Sequence, residues 1–481
     1  MSKSIKKNSI YSILKTFSSI VFPLITFPYV SRVLLTENVG KINFGLSIVS
    51  YFTLIASLGV STYAIRECSS VRDNKAFLEK TASQIFSINV ITTVIAYVCL
   101  AITLIAYRKL DSYRHLIIIQ SLSIIATTLG ADWLNSAMED FKYITIRTVS
   151  FQIVSLGFLF AFVHKPDDYI KYAIISLISS AGASITNIWY RRRYCRITFT
   201  FKIDWMKHMP PIMFLFVMIL AQTIFNSVDS TMLGIIHGDY EVGIYSAAHK
   251  ILNIINQVIG SLLWVIMPRM AYYFAEGDYA DINILLKKIL QFNITVGLPC
   301  VVGIIAIAKD IISIVAGQAF VAAAPVLQIL MFGFVFSLIG GSFLGNAILL
   351  PSKKEKYYMI VCCIAAVINI ITNYFTIPLW KAKAAAGTTA LCSATIMVLL
   401  LFKIDKRIKI EGIWKLFISP AVGCLFIVTI CMISKSINNL FLRAIVSIGA
   451  SSIAYFVVQI VLKNELVLDL LNDIRKKMMK T

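Results

Sequence analysis

The stretch ASQIFSINVITTVIAYVCLAITLIAY, Ala82–Tyr107, holds no charged residue and is bounded by Lys80 on one side and by Arg108 and Lys109 on the other. At a rise of about 1.5 Å per residue, a helix over this stretch outspans the ~30 Å hydrocarbon core of a bilayer. Its reading decides the fold, because such runs recur along the whole chain. Charge-poor runs lie at 9–33, 41–64, 113–133, 143–163, 170–190, 211–235, 243–267, 288–308, 323–349, 357–378, 384–402, 415–434 and 441–462. The pattern predicts an all-α integral membrane protein of about 14 spans. The polar gaps reach about 20 residues at most, too short for a water-soluble domain between spans. Of the 481 residues 58% are hydrophobic and only 14% charged, too little charge to disperse a soluble chain of this size. The opening residues MSKSIKKNSIYSILK are basic and then apolar, with no small-residue cleavage site before Pro23. We read them as the start of an uncleaved first span.

The formal net charge is +21. In a soluble protein this would point to nucleic acid; here it follows from topology, because loops on the cytoplasmic side of membranes collect Lys and Arg. Alternate loops and tails, among them Lys3, Lys6, Lys7, Arg66, Arg72, Lys142, Arg191 to Arg193, Lys353, Lys354, Lys403, Arg407 and Lys480, hold 30 cations, and the opposite set holds 11. The richer side is expected to be cytoplasmic, with both termini inside and Asp167 and Lys381 outside. The nine cysteines form no CxxC pair and mostly sit in apolar runs, so they read as small packing residues. There is no GxxxxGK[ST] loop, HExxH or GxSxG motif, nor a Cys/His metal spacing. No cofactor, metal or catalytic residue is therefore expected, and the chain is expected not to be an enzyme. An integral-membrane polymerase, one rival reading, would need a sizeable outer loop with paired acids; only Asp167-Asp168 offers that pattern.

Polar groups at membrane depth are costly and usually face the bundle interior or a wet cavity. In the first span Ser12, Lys15, Ser19 and Thr26 share a helical face, and Pro23 and Pro28 interrupt the helix. The seventh span carries Gln222, Asn226 and Asp229 on one face. The eighth carries Ser246, Lys250, Asn253 and Gln257, with His249 beside them. Asn369 and Asn373 lie on one face of the eleventh. Bonding between helices and snorkelling to an interface are the bland alternatives for these groups. Arg32 ends the first span and Arg147 lies one turn into the fifth. Cations outnumber anions: Lys15, Arg32, Arg147 and Lys250 against Asp229, with Asp132 near a cytoplasmic mouth. Such a lumen attracts an anionic headgroup and repels an organic cation. Asp229, an acid in an apolar stretch, is the candidate for ion coupling, in exchange with Lys250 if the two pair.

A weak internal repeat supports a duplication of six spans. Val39-Gly40-Lys41-Ile42-Asn43 matches Val242-Gly243-Ile244-Tyr245-Ser246, and Glu139-Asp140-Phe141-Lys142-Tyr143 matches Lys353-Lys354-Glu355-Lys356-Tyr357. Pro28 to Leu34, Val39 to Phe44, Gly59-Val60 with Ala64-Ile65-Arg66-Glu67, Glu139 to Tyr143, Asp229 to Gly234 and Gly243 to Lys250 resemble the bacterial flippases for lipid-linked polysaccharide repeat units, the O-antigen type. That family sits in the multidrug/oligosaccharidyl-lipid/polysaccharide exporter superfamily. The resemblance covers essentially the whole chain.

It implies two six-helix lobes around a central cavity, with two extra C-terminal helices: an N-terminal lobe over 1–208, a second lobe over 209–410, spans 13 and 14 over 411–462, and a basic cytoplasmic tail over 463–481. It implies alternating access that turns an undecaprenyl-pyrophosphate-linked oligosaccharide from the cytoplasmic to the periplasmic leaflet of the bacterial inner membrane, for O-antigen or capsular polysaccharide. The expected partners are that substrate, membrane lipids, and a polysaccharide polymerase with its chain-length regulator, but no nucleic acid. Lys250, Arg32, Arg147 and Lys15 are then expected to be lumenal cations for the substrate, among the polar groups Gln222, Asn226, Asn253 and Gln257. The main rival is a cation-coupled multidrug antiporter of the same fold. Those antiporters commonly carry an acid in the first span, where this chain has Lys15.

Overall fold

The computed structural model of the chain describes the backbone of residues 5–410 and 412–478, and the side chains in that range except those of 5–9, 261–265, 470 and 473–478. Lys3 and Lys480 of the charge count lie outside the described residues. Among the described residues there are helices and no strands. Ten helical segments of the described residues are long and apolar enough to cross a membrane. Two of them, Ile10–Ser70 and Glu355–Leu401, each contain two of the expected spans. Helix α4 (Arg114–Gly130) and helix α9 (Asp239–Glu276) supply the two that remain. The chain is a multi-pass, all-α membrane protein. Its packing divides it into two compact units, Met1–Gly243 and Ile244–Thr481.

The first unit opens with α1 (Ile5–Ser57), which carries spans 1 and 2 in one run. The helix continues through Pro23 and Pro28 and breaks at Leu35, where φ is 61°. Then come α2 (Val60–Ser70), α3 (Lys75–Ala106), α4, α5 (Trp133–Ala137), α6 (Phe141–Phe162), α7 (Tyr169–Tyr190) and α8 (Trp205–His237). Helix α8, which the repeat assigns to the second lobe, packs on α1 and is grouped with this unit. The segment Cys195–Asp204 runs extended along α3. Its amides donate in step: Arg196 N to Glu79 Oε1 at 2.8 Å, Thr198 N to Ser83 Oγ at 3.1 Å and Thr200 N to Ser87 Oγ at 2.8 Å. Two extended residues span about 6.6 Å and four helical residues about 6 Å, so the two repeats stay in register.

The matched strings share backbone features. Leu35 precedes Val39 by four residues and Gly238 precedes Val242 by four; both have positive φ, 61° and 82°. Glu139 and Lys353 open the second pair of strings with φ of 54° and 58°. The two repeat glycines also meet. A Cβ on Gly40 would overlap the carbonyl oxygen of Asp239, and a Cβ on Gly243 would overlap that of Thr36. Thr36 and Asp239 are themselves repeat equivalents. Each glycine therefore admits the backbone four residues before the other, in one reciprocal contact.

The second unit holds the rest of α9, then α10 (Tyr279–Phe292), α11 (Leu298–Ala306), α12 (Ala308–Val315), α13 (Ala324–Ser337), α14 (Glu355–Leu401), α15 (Ile413–Ser434), α16 (Leu440–Val461) and α17 (Glu465–Met478). Wider π-helical turns at Asn293–Gly297 and Leu338–Leu349 extend α10 and α13. Helix α14 joins spans 11 and 12 and breaks at Lys381, φ 52°. The last two spans are tied to this unit at both ends. Arg443 on α16 clamps Asp310 on α12 with two bonds of 2.6 and 2.8 Å. At the other end Asn464 donates to Ser419, Gln459 and Thr295 and accepts from Gln291.

Candidate functional site

In the first unit the close packing of α4 on α7 sets the site. Gly130 has no room for a Cβ against Ser184, and its carbonyl accepts from Asn187 at 2.8 Å. Asn187 in turn accepts from Asn135 at 2.7 Å. Helix α4 ends at Ala131, whose φ of 49° turns the chain. The turn leaves Asp132 facing both α6 and α7: its Oδ2 lies 3.1 Å from Arg147 Nη2 and accepts from Ser184 Oγ at 2.8 Å. Arg147 is only 7% exposed and its guanidinium sits over the Tyr143 ring, 5.2 Å from the centroid. Thr145 donates to the carbonyl of Tyr11 at 2.8 Å, which pins the first turns of α1 to α6. One turn further along α1, Lys15 is exposed and lies within electrostatic reach of Asp132 and Arg147. Arg191, also buried, feels the same carboxylate.

Below this cluster Tyr143 stacks on Tyr190 with centroids 3.4 Å apart. Asp140 caps α6 and accepts from the hydroxyls of Tyr190 and Tyr194. Burial first, and then the bond to Asp140, hold the Tyr194 hydroxyl protonated, well above its ordinary pKa.

The other expected site residues fall in several surroundings. Arg32 is exposed and donates to the Pro28 carbonyl at 2.6 Å. Asp229 is 1% exposed and is set among hydroxyls that join α8 to α1. Ser50 donates to Ser227 at 2.9 Å, Thr231 to Ser47 at 2.9 Å, and Tyr51 lies 3.1 Å from Thr231. Gln222 and Asn226, on the same helix, are exposed. In the second unit Lys250 is half-buried on α9, while Asn253 and Gln257 are exposed. Asn253 lies 3.2 Å from His249 Nδ1, and His249 stacks on Tyr245. Asn373, on α14, donates to Asn369 at 3.1 Å and accepts from Thr388 across the Lys381 break. Among the described residues no group of His, Cys, Asp and Glu is arranged to hold a metal ion. All nine cysteines are free.

The second unit also has an apolar cavity of about 380 Å³, lined by Ile304 and Cys300 of α11, Ile427 and Cys431 of α15, and Ile448 and Phe456 of α16. Thus Lys15 and Arg147 come together, Asp132 proves to be the partner of Arg147, and Arg191, Ser184 and the Tyr190–Tyr194 pair join the cluster without having been read from the sequence. The signal available for Arg191 was the Arg191 to Arg193 run, read there only as topology.

The comparisons agree with the fold. The MatE family matches residues 215–375. The Escherichia coli (strain K12) protein provisionally named an O-antigen transporter is 23% identical over 415 residues, covering 84% of this chain and 98% of that protein. The solved structure of the lipid II flippase MurJ in an inward closed conformation superposes with a TM-score of 0.74 at 15% identity, over 95% of this chain and 99% of that one. An inward-facing multidrug resistance MATE family transporter of the MOP superfamily superposes at 0.63 with 14% identity, over 82% and 96%. The polysaccharide biosynthesis protein family matches residues 5–274, more than half of the sequence, and the chain belongs to that family.

Proposed function

We propose that the chain is a flippase for a lipid-linked oligosaccharide. It carries an undecaprenyl-pyrophosphate-linked repeat unit from the cytoplasmic to the periplasmic leaflet of the bacterial inner membrane by alternating access, both termini inside, and leaves it chemically unchanged. A polysaccharide polymerase and chain-length regulator take up the product. One observation carries this reading. Gln222, Asn226, Asn253 and Gln257 are exposed within apolar spans, Asn253 with one bond to His249, and an amide group that faces hydrocarbon unsatisfied costs several kcal/mol (roughly 4 to 8 in the driest reference). A wet surface that accepts sugar hydroxyls removes that cost. The cations Lys15, Arg32, Arg147 and Lys250 supply what a diphosphate needs. The apolar cavity beside α15 and α16 suits an alkyl chain.

The test is flipping of a fluorescent lipid-linked oligosaccharide in proteoliposomes. Wild type should exceed protein-free vesicles, Lys250→Glu should lose most of the rate, and Lys250→Arg should keep much of it. Wild-type vesicles no faster than protein-free ones would overturn the reading. An imposed pH gradient should change the wild-type rate, and Asp229→Asn should lose that response while flipping downhill. The MatE match over 215–375 favours a second reading, a cation-coupled multidrug antiporter. Gradient-driven ethidium transport by the same vesicles, with no flipping, would support it.

A further inference from the structure

The cluster around Arg147 has a feature that the flippase reading does not explain. Arg147 is 93% shielded from solvent, being 7% exposed, yet its Nε and Nη1 have no hydrogen-bond partner among the described residues. Only Nη2 is engaged, by Asp132. Among the described residues Asp132 Oδ1 and Arg191 Nη1 also have no partner, and Arg191 is 8% exposed. Arg147, Lys15 and Arg191 all lie within reach of the one Asp132 carboxylate, an excess of two positive charges. Asp140, about two turns from Arg147 along α6, is taken up by the hydroxyls of Tyr190 and Tyr194. Of the three cations Arg147 and Arg191 are buried, and buried cation beyond what one carboxylate meets is expensive. Lys15 is the exposed member of the group, so it marks the side from which an anion arrives.

We propose that Asp132 is an internal competitor for a phosphate-bearing group that binds between Lys15 and the unpartnered donors of Arg147. The planar guanidinium suits a phosphate as it suits the carboxylate it now holds. With Asp132 on one nitrogen, Arg147 is kept oriented and partly neutralised, so the anion binds and also leaves. The ligand is the diphosphate of the carried lipid, and to that extent the inference rests on the functional reading above. An ordinary phospholipid headgroup shares the chemistry with a single phosphate. Asp132 is a positioning residue, and it predicts a split that a purely structural ion pair does not: removing its charge tightens binding and slows turnover.

The experiment titrates inorganic pyrophosphate, by calorimetry, into the full chain in phosphatidylcholine nanodiscs. Asp132→Asn should bind about tenfold tighter or more, since it removes a like charge beside the anion. Arg147→Gln should bind at least about tenfold more weakly, and Lys15→Gln by several-fold. Arg147→Gln leaves the half-exposed Asp132 carboxylate without its cation and can fail to fold. The Asp132→Asn/Arg147→Gln double variant removes both charges, and it should regain thermal stability without regaining binding. In the flipping assay Asp132→Asn should lower both KM and kcat. Equal pyrophosphate affinity in wild type, Asp132→Asn and the double variant would overturn the proposal, whether or not the wild type flips its lipid. Failure of wild-type flipping with these affinity shifts intact would sink the functional reading and leave the anion site. Phosphatidylglycerol retained by wild type and lost by Arg147→Gln in native mass spectrometry, with no pyrophosphate binding by either, would overturn the assignment to the diphosphate and give the site to a phospholipid headgroup.

Discussion

Gly40→Ala and Gly243→Ala test why the two halves share a glycine. Each Cβ would be driven into the backbone carbonyl four residues before the other glycine, and the Gly40 Cβ would also come to 3.0 Å from Gly243 N. The obstacle is backbone, so no rotamer change relieves it. The helix ends must separate by roughly an ångström or more, an overpacking that costs about 3 kcal/mol at each site. The two sites form one reciprocal contact, so the costs should not add. Once either alanine has forced the ends apart, the second fits into space already opened. The double variant should lose about 4 kcal/mol rather than about 6, a coupling of about 2. Gly157→Ala and Gly449→Ala are the controls. Both glycines lie inside helices with open space around a Cβ, and there alanine should be neutral or better by up to about 1 kcal/mol. Thermal unfolding of the purified protein in one detergent ranks the five variants. A Gly40→Ala midpoint equal to wild type, or a double variant whose loss is the sum of the singles, refutes the reciprocal contact.

Three further outcomes are expected. Arg443→Gln removes two bonds to the mostly buried Asp310 and should cost about 2 to 3 kcal/mol, read as a lower unfolding midpoint. Arg443→Lys should recover less than half of it, because an ammonium does not match both oxygens, and an unchanged midpoint in Arg443→Gln would dismiss the clamp. Asp239 is held above its ordinary pKa by burial, against the opposing Tyr113 hydrogen bond and Lys41, with Glu37 adding to the rise. A raised folded value favours the fold below the unfolded pKa of about 4 and loses that contribution as pH rises through the folded value. The wild-type midpoint minus that of Asp239→Asn should therefore fall as pH rises above about 4, and a difference that rises or stays flat would contradict the sign. Cysteines placed at Asp167 and Lys381, in a background without the nine native ones, should react with an impermeant maleimide in intact cells; reaction only after permeabilisation would invert the orientation.

Where hydrophobicity alone decides structure, the sequence was readable to within a few residues. The run at 441–462 is α16 at Leu440–Val461, and the run at 415–434 is α15 at Ile413–Ser434. What it hid was how spans join. Leu35 and Lys381 turn α1 and α14 with positive φ, a conformation that the sequence usually marks with glycine or asparagine. Neither residue advertises it. The π-helical turns at Asn293–Gly297 and Leu338–Leu349 were equally silent, since one wider turn leaves composition and length unchanged. The strap from Cys195 to Asp204 reads as a polar loop, because its register on α3 rests on Glu79, Ser83 and Ser87 of another element.

The site shows the same limit in its electrostatics. Counting fixed charges along the spans gave a cationic balance, but a count treats every charge as equally able to act on a ligand. The structure ranks them. The Arg147 charge is partly cancelled at 3.1 Å by Asp132, a residue 15 positions away whose orientation depends on the Ala131 turn and on Gly130 being small enough to admit Ser184. Asp140 is occupied by two tyrosine hydroxyls, and Asp229 is buried beside the Ser50–Ser227 and Ser47–Thr231 bonds. Lys15 and Arg32 are exposed and Lys250 is half-buried. Attraction falls with distance and with screening by water, whereas a buried guanidinium acts at short range and strongly. The anion site proposed above would therefore separate two tasks that the count merged: exposed Lys15 would gather the anion, and Arg147, held back by Asp132, would set how tightly and how long it stays.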